Sequence, residues 1–102
     1  MNTKISTMKF LEKLAGKSLS LGSFIESIRL GEEMSQVNFA KKIKVSRSHL
    51  CDIEKGRKLV SPSRAAEFAN ILGYSSIQFV RLALQDELSK SGLKFKVQLD
   101  VA

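Results

Sequence analysis

Residues 35–58 read SQVNFAKKIKVSRSHLCDIEKGRK, and the fold turns on this stretch. Ser35 and Ser46 each stand just before a short segment with helical spacing of apolar residues. A serine at that place caps a helix, because its hydroxyl oxygen accepts from a backbone N–H of the first turn. Phe39, Ala40 and Ile43 fall on one face of the first segment, and Leu50 and Ile53 on one face of the second. Lys44-Val45 forms the connection. Ala40 is small where two helices must approach, and Val45 can plug the apolar corner of the turn. Gly56 stands where the second helix should stop. The stretch predicts two short helices docked through a tight turn, with Arg47, Ser48, Asp52 and Lys55 facing solvent.

Working outward, the periodicity predicts three more helices around this pair. One, over about 21–33, places Leu21, Phe24, Ile25 and Ile28 on one face. Another opens at Ser61-Pro62, an N-cap followed by proline where its missing N–H is harmless, and ends at Gly73. Its inward face is Ala65, Phe68, Ala69 and Leu72. The last opens at Ser75, with Gln78 in capping-box position, and runs to about Lys90. Its apolar arc (Ile77, Phe79, Val80, Leu82, Ala83, Leu84, Leu88) is wider than one small core needs. Packing of part of it on a second subunit and closure of the monomer core are both open, and the two are not exclusive. A separate short helix is expected over Thr7–Ala15, stopped by Gly16, with a linker up to Ser20.

After Lys90 the period changes. Leu93, Phe95, Val97, Leu99 and Val101 alternate with Lys94, Lys96, Gln98 and Asp100, the pattern of a strand with one apolar face. A lone strand cannot satisfy its backbone, so it needs a twin copy, another segment or a partner protein. A frayed tail is the plain alternative. The fold class expected is all-α: five helices, a short N-terminal helix and a C-terminal β-strand.

The chain has 102 residues and a formal charge of +7. Between Lys41 and Arg64, eight bases stand against two acids, Asp52 and Glu54, so this window carries +6. Charge so concentrated suits a polyanion, although a solvated basic surface has the same composition. The exposed face of the second short helix can enter a DNA major groove with its N-terminal residues toward the base edges.

Other classes find no support. No apolar run nears the roughly 18 residues of a membrane span. The N-terminal MNTKISTMKFLEKLAGK has no apolar region of the signal-peptide kind. The single cysteine, Cys51, builds no disulfide framework, which fits a reducing cytoplasm. No glycine-rich phosphate loop, nucleophile motif or zinc spacing is present. Asp52 and Glu54, two apart, do not share a helix face and make no catalytic dyad. His49 reads as a phosphate or packing residue rather than a metal ligand. Cys51 reads as a small half-buried side chain, with redox sensing a lesser alternative. The expectation is a binding protein with no enzymatic activity, metal or cofactor.

The residues resemble the lambda-repressor-like, or XRE-type, helix-turn-helix family over about Leu21–Tyr74. The resemblance rests on Ser35-Gln36, Phe39-Ala40, Val45-Ser46, Leu50, Ile53-Glu54 and Gly56, with Leu21-Gly22, Phe24-Ile25 and Arg29 before them. It implies that Gln36 sits at a helix start, placed for a phosphate and for bracing the reading helix. Ser46, Arg47 and Ser48 fall at base-contacting positions, and Arg47 could donate a bidentate pair to guanine. Asp52, one turn on, would accept from a cytosine amine or repel phosphates. Lys55, Arg57 and Lys58 would grip the DNA backbone, with His49 in the same interface. Arg29 and Glu54 match a buried, structural ion pair. The chain departs from the family in holding Lys44 where a glycine is usual.

The resemblance implies three regions: a helical extension and linker over 1–20, a DNA-binding domain over 21–74, and a helix and strand for dimerisation or partner binding over 75–102. The expected function is a transcriptional regulator binding a palindromic operator in double-stranded DNA as a homodimer. Ile77–Leu82 with Leu84 and Leu88 looks like the fifth helix of HigA-type antitoxins, which points to an antitoxin repressing its own operon beside a cognate toxin. A stand-alone phage-type repressor and a protein-interaction module on the same fold are the alternatives.

Overall fold

The computed structural model describes residues 19–102, so the helix expected over Thr7–Ala15 lies outside the described residues. Five helices follow in order: α1 (Leu21–Gly31), α2 (Gln36–Lys42), α3 (Arg47–Glu54), α4 (Pro62–Leu72) and α5 (Ser76–Lys90).

Each helix starts on a serine. Ser20, Ser35, Ser46, Ser61 and Ser75 accept from the backbone N–H three residues on, at 3.0–3.4 Å. A cap of this kind contributes about 0.5–2 kcal/mol, a substantial aid to helices as short as α2 and α3. At Ser75 only half of the expected capping box forms, because Gln78 Oε1 accepts from Arg81 instead of reaching back.

The helix ends are equally uniform. Met34, Val45, Arg57, Tyr74 and Leu93 each donate a backbone N–H to the carbonyl five residues earlier, at 2.8–3.1 Å. This Schellman closure puts the preceding residue in the left-handed region. Gly56, Gly73 and Gly92 occupy it without strain, whereas Glu33 (φ 55°) and Lys44 (φ 64°) do not have that freedom. The turn between α2 and α3 therefore keeps its left-handed shape with lysine, at a cost of about 1–2 kcal/mol. Met34, Val45 and Tyr74, one residue further, pack against the core and hold the turns in place.

The core is one cluster. Phe24, Phe39, Phe68 and Phe79 are fully buried, with Leu21, Ile25, Ile43, Leu50 and Leu82. Phe24 meets Tyr74 and Phe79 edge-on, at centroid distances of 5.7 and 5.8 Å. α1 packs on α3 and α5, α2 on α3, and α4 on α5. Gly22 lies at the α1–α3 contact, where a Cβ would collide with the Ile53 carbonyl oxygen. Asp86 of α5 ties down the start of α1, its Oδ2 accepting from Leu21 N–H at 3.0 Å.

The apolar arc of α5 divides. Phe79, Leu82 and Ala83 enter the core. Ile77 is exposed, and Val80, Leu84 and Leu88 are half-buried. Val80 packs against the edge of the core, while Ile77, Leu84 and Leu88 form a second stripe on the outer face of the helix.

The expected C-terminal strand is not there: residues 93–102 take no regular structure. The sequence pattern alternates, but among the described residues there is no strand for it to pair with. One side chain substitutes in part. Gln85 donates from Nε2 to Phe95 O and accepts from Val97 N–H, both at 2.8 Å, as a neighbouring peptide group would. Val97 is half-buried, but Phe95 and Val101 remain 65% and 75% exposed, so the apolar side of the tail is not enclosed within the chain.

Two consequences are measurable. Gly22→Ala should destabilise the fold by about 1–3 kcal/mol in urea unfolding, since the α1–α3 contact must open. Burial pushes the Asp86 carboxyl above its ordinary 3.8, while the bond from Leu21 N–H draws it partly back. A raised acid pKa means that this group's contribution to stability falls as pH rises from about 3.8 through the folded value. Asp86→Asn, which keeps an acceptor, should therefore unfold at higher temperature than the parent at neutral pH. The gain should vanish in acid, where Asp86 is itself neutral.

Candidate nucleic-acid interface

The surface predicted to meet DNA is built on a buried charge. Glu54, the last residue of α3, has a fully buried side chain. It accepts from Arg29 of α1 at both oxygens, Nε–Oε2 at 2.8 Å and Nη2–Oε1 at 3.1 Å. Gln36 of α2 adds a third bond, from Nε2 to Oε1 at 3.0 Å. Arg29 Nη1 also donates to Met34 O at 3.0 Å, closing the turn after α1. The bond to Glu54 holds the Arg29 guanidinium above its ordinary pKa, against the opposing effect of burial. Three helices thus converge on one carboxylate, and the roll of α3 about its axis is set by it.

With Leu50, Ile53 and Glu54 turned inward, the opposite face of α3 is fixed. Ser48, Asp52 and Lys55, four and three residues apart, share it. Arg47 and Ser48 stand exposed in the first turn. Ser46 Oγ accepts from His49 N–H at 3.0 Å, leaving the hydroxyl proton available to an acceptor outside. Gln36 lies beside α3 with its amide nitrogen already donating to Glu54.

Asp52 and Arg57, assigned separate partners from the sequence, are partners of each other. Arg57 Nε donates to Asp52 Oδ1 at 2.8 Å, and Lys58 Nζ lies 3.9 Å from Oδ2. The Arg57 guanidinium holds the Asp52 carboxyl below the usual carboxylate range, with some help from Lys58 and His49. Arg57 Nη2 also reaches Cys51 Sγ at 3.4 Å. Lys55 and Lys58 are exposed, and the residues from 55 to 58 cluster at the C-terminal end of α3.

His49 is half-buried and lines a shallow cleft with Ser61, Arg64 and Phe68. Arg64 was not among the residues singled out from the sequence. Its guanidinium lies 5.6 Å from the Phe68 ring centroid, and its buried Nε has no acceptor among the described residues. The available signal was its place in the basic window, in the first turn of a serine-capped helix. Among the described residues, no group of three or more His, Cys, Asp or Glu is placed to hold a metal ion. None of their helices is long and apolar enough to cross a membrane.

Removing one side of the buried pair should be costly. Glu54→Ala strands the Arg29 guanidinium, and the expected loss is about 3–5 kcal/mol in denaturant unfolding. The double change Arg29→Met with Glu54→Leu should recover a large part of it. A single change costing no more than a surface substitution would show that the pair does not hold α3.

Comparison with known proteins agrees with this geometry. No curated protein and no solved structure matches the chain. A family model described as helix-turn-helix matches residues 25–79, more than half of the chain. The matched span runs from within α1 into α5 and contains all of α2, α3 and α4. It therefore holds the capped helix pair, the left-handed turn at Lys44 and the whole exposed face of α3. The chain belongs to the XRE-type helix-turn-helix family of DNA-binding transcriptional regulators.

Proposed function

We propose that the chain is a sequence-specific repressor that binds a palindromic operator as a homodimer and serves as the antitoxin of a toxin–antitoxin pair, acting on its own operon in the cytoplasm. Its work is binding, not catalysis. The observation that carries DNA reading is the exposed face of α3, which offers Arg47 and Ser48 at a capped N-terminus with Lys55 and Lys58 behind them. Base edges meet the first turn, and the cations at the far end meet phosphates. Gln36 braces α3 through Glu54, and His49 with Arg64 lies at the flank where a phosphate strand would pass.

Dimerisation is supported by the outer stripe of α5. Ile77, Leu84 and Leu88 lie outside the core cluster, and Leu93 and Phe95 in the tail are exposed. A two-fold copy would cover this stripe and present two α3 helices to successive turns of the major groove. The antitoxin role is supported by the likeness of Ile77–Leu82 to the HigA-type helix, and by an apolar tail that one chain leaves open to a toxin.

Salt and mutation test the DNA reading together. Affinity for operator duplex should fall steeply as salt rises, because each phosphate contact releases counterions. Arg47→Ala should cost about 1–3 kcal/mol on the operator and relax one base-pair position. Lys58→Ala should weaken every duplex alike. Absence of duplex binding at low salt would reject the function. A monomeric mass in solution at working concentration would reject the dimer alone.

A further inference from the structure

We infer, on the basis of the DNA-binding function proposed for this chain, that Arg57 reads a base pair alongside Arg47, and that Asp52 positions Arg57 instead of touching a base.

Position in the chain alone puts Arg57 beyond the end of α3, as one more cation for the phosphates. The backbone puts it elsewhere. Gly56 takes φ 77°, and the N–H groups of Arg57 and Lys58 both return to Asp52 O, at 2.8 and 3.2 Å. The chain thereby doubles back, and the Arg57 side chain lies across Cys51 and Asp52. Asp52 shares the exposed face of α3 with Ser48 and Lys55. The guanidinium consequently sits over the face that enters the groove.

The bonds it makes there use one edge only. Nε donates to Asp52 and Nη2 to Cys51, which occupies the side-on edge of the guanidinium. Of its five N–H groups, the two of Nη1 and one of Nη2 have no acceptor among the described residues. One from each of these two nitrogens forms the end-on edge, the fork that matches N7 and O6 of guanine. A side chain already held in place loses less freedom on binding. The carboxylate does not spoil the site for a polyanion, because two cations, Arg57 and Lys58, face it. A phosphate would need none of this orientation, since a lysine serves as well as an arginine for a point contact.

The experiment uses the full chain. Wild-type protein selects its preferred duplex from a random-sequence pool. Affinities are then measured for that duplex, for every single-base-pair variant and for random duplex. Arg57→Lys keeps the charge and loses the fork. It should lose about tenfold or more in discrimination at one base-pair position, with random-duplex affinity unchanged. Asp52→Ala should lose discrimination at that same position while random-duplex affinity rises. Asp52→Asn, which still offers Nε a carbonyl oxygen, should retain most of it. Thermal unfolding of each variant confirms that the fold persists. Unchanged preferences in Arg57→Lys, or a uniform gain on all sequences in Asp52→Ala, would overturn the assignment. So would wild-type binding with no sequence preference, which leaves DNA binding standing. A wild-type protein that binds no duplex would remove both.

Discussion

Glu54 brings a carboxylate into the interior, out of reach of solvent, and the arrangement of α1, α2 and α3 follows from what that carboxylate requires. An ionised carboxylate out of water is stable only with its lone pairs met, and here three N–H groups from two other helices meet them. Apolar contact alone would let α3 rotate or slide by a fraction of a turn at modest cost. A bidentate bond does not, because both its distance and its plane are fixed. The pair contributes less to net stability than to the choice of one orientation. That orientation decides which residues of α3 face outward, so a buried interaction shapes a surface that it never reaches.

The surface so defined is organised by pairs more than by single residues. Arg47 and Ser48 stand free in the first turn. One turn on, Asp52 is engaged by Arg57 and Lys58, and the negative charge becomes part of a positively charged unit. At the flank, His49 and Arg64 come from different helices to the same cleft. A listing of exposed bases would treat these residues as equivalent. Their partners make them different, since a guanidinium held along one edge presents the other in a fixed direction, and a free lysine presents no direction at all.

The helix ends show the same logic of local satisfaction. Among the described residues, each of the five helices begins with a serine oxygen on an unpaired N–H, and each is followed by a left-handed residue returning an N–H to the last turn. The tail has no such local solution. Its alternating pattern asks for a neighbouring strand, and within the chain only the Gln85 carboxamide answers, over two backbone groups. The apolar residues of the tail, and Ile77, Leu84 and Leu88 on the outer side of α5, are left without a place in the core.

Features written in contiguous residues were therefore legible. Ser35, Ser46 and Ser61-Pro62 marked helix starts, Gly56 and Gly73 marked ends, and apolar spacing marked the inward faces of α1 to α4, because capping and periodicity act over one or two turns. The Arg29–Glu54 pair was reached only through resemblance, since nothing local joins residues 25 apart. Tertiary structure alone decided that Asp52 belongs to Arg57, that Gln36 donates to Glu54 and that Arg64 joins His49. It also decided that Gln78 answers Arg81 instead of Ser75, that only part of the α5 arc enters the core, and that the alternating tail forms no strand. Each of these depends on which side chain or backbone edge another element brings close, and that is set by packing, not by order along the chain.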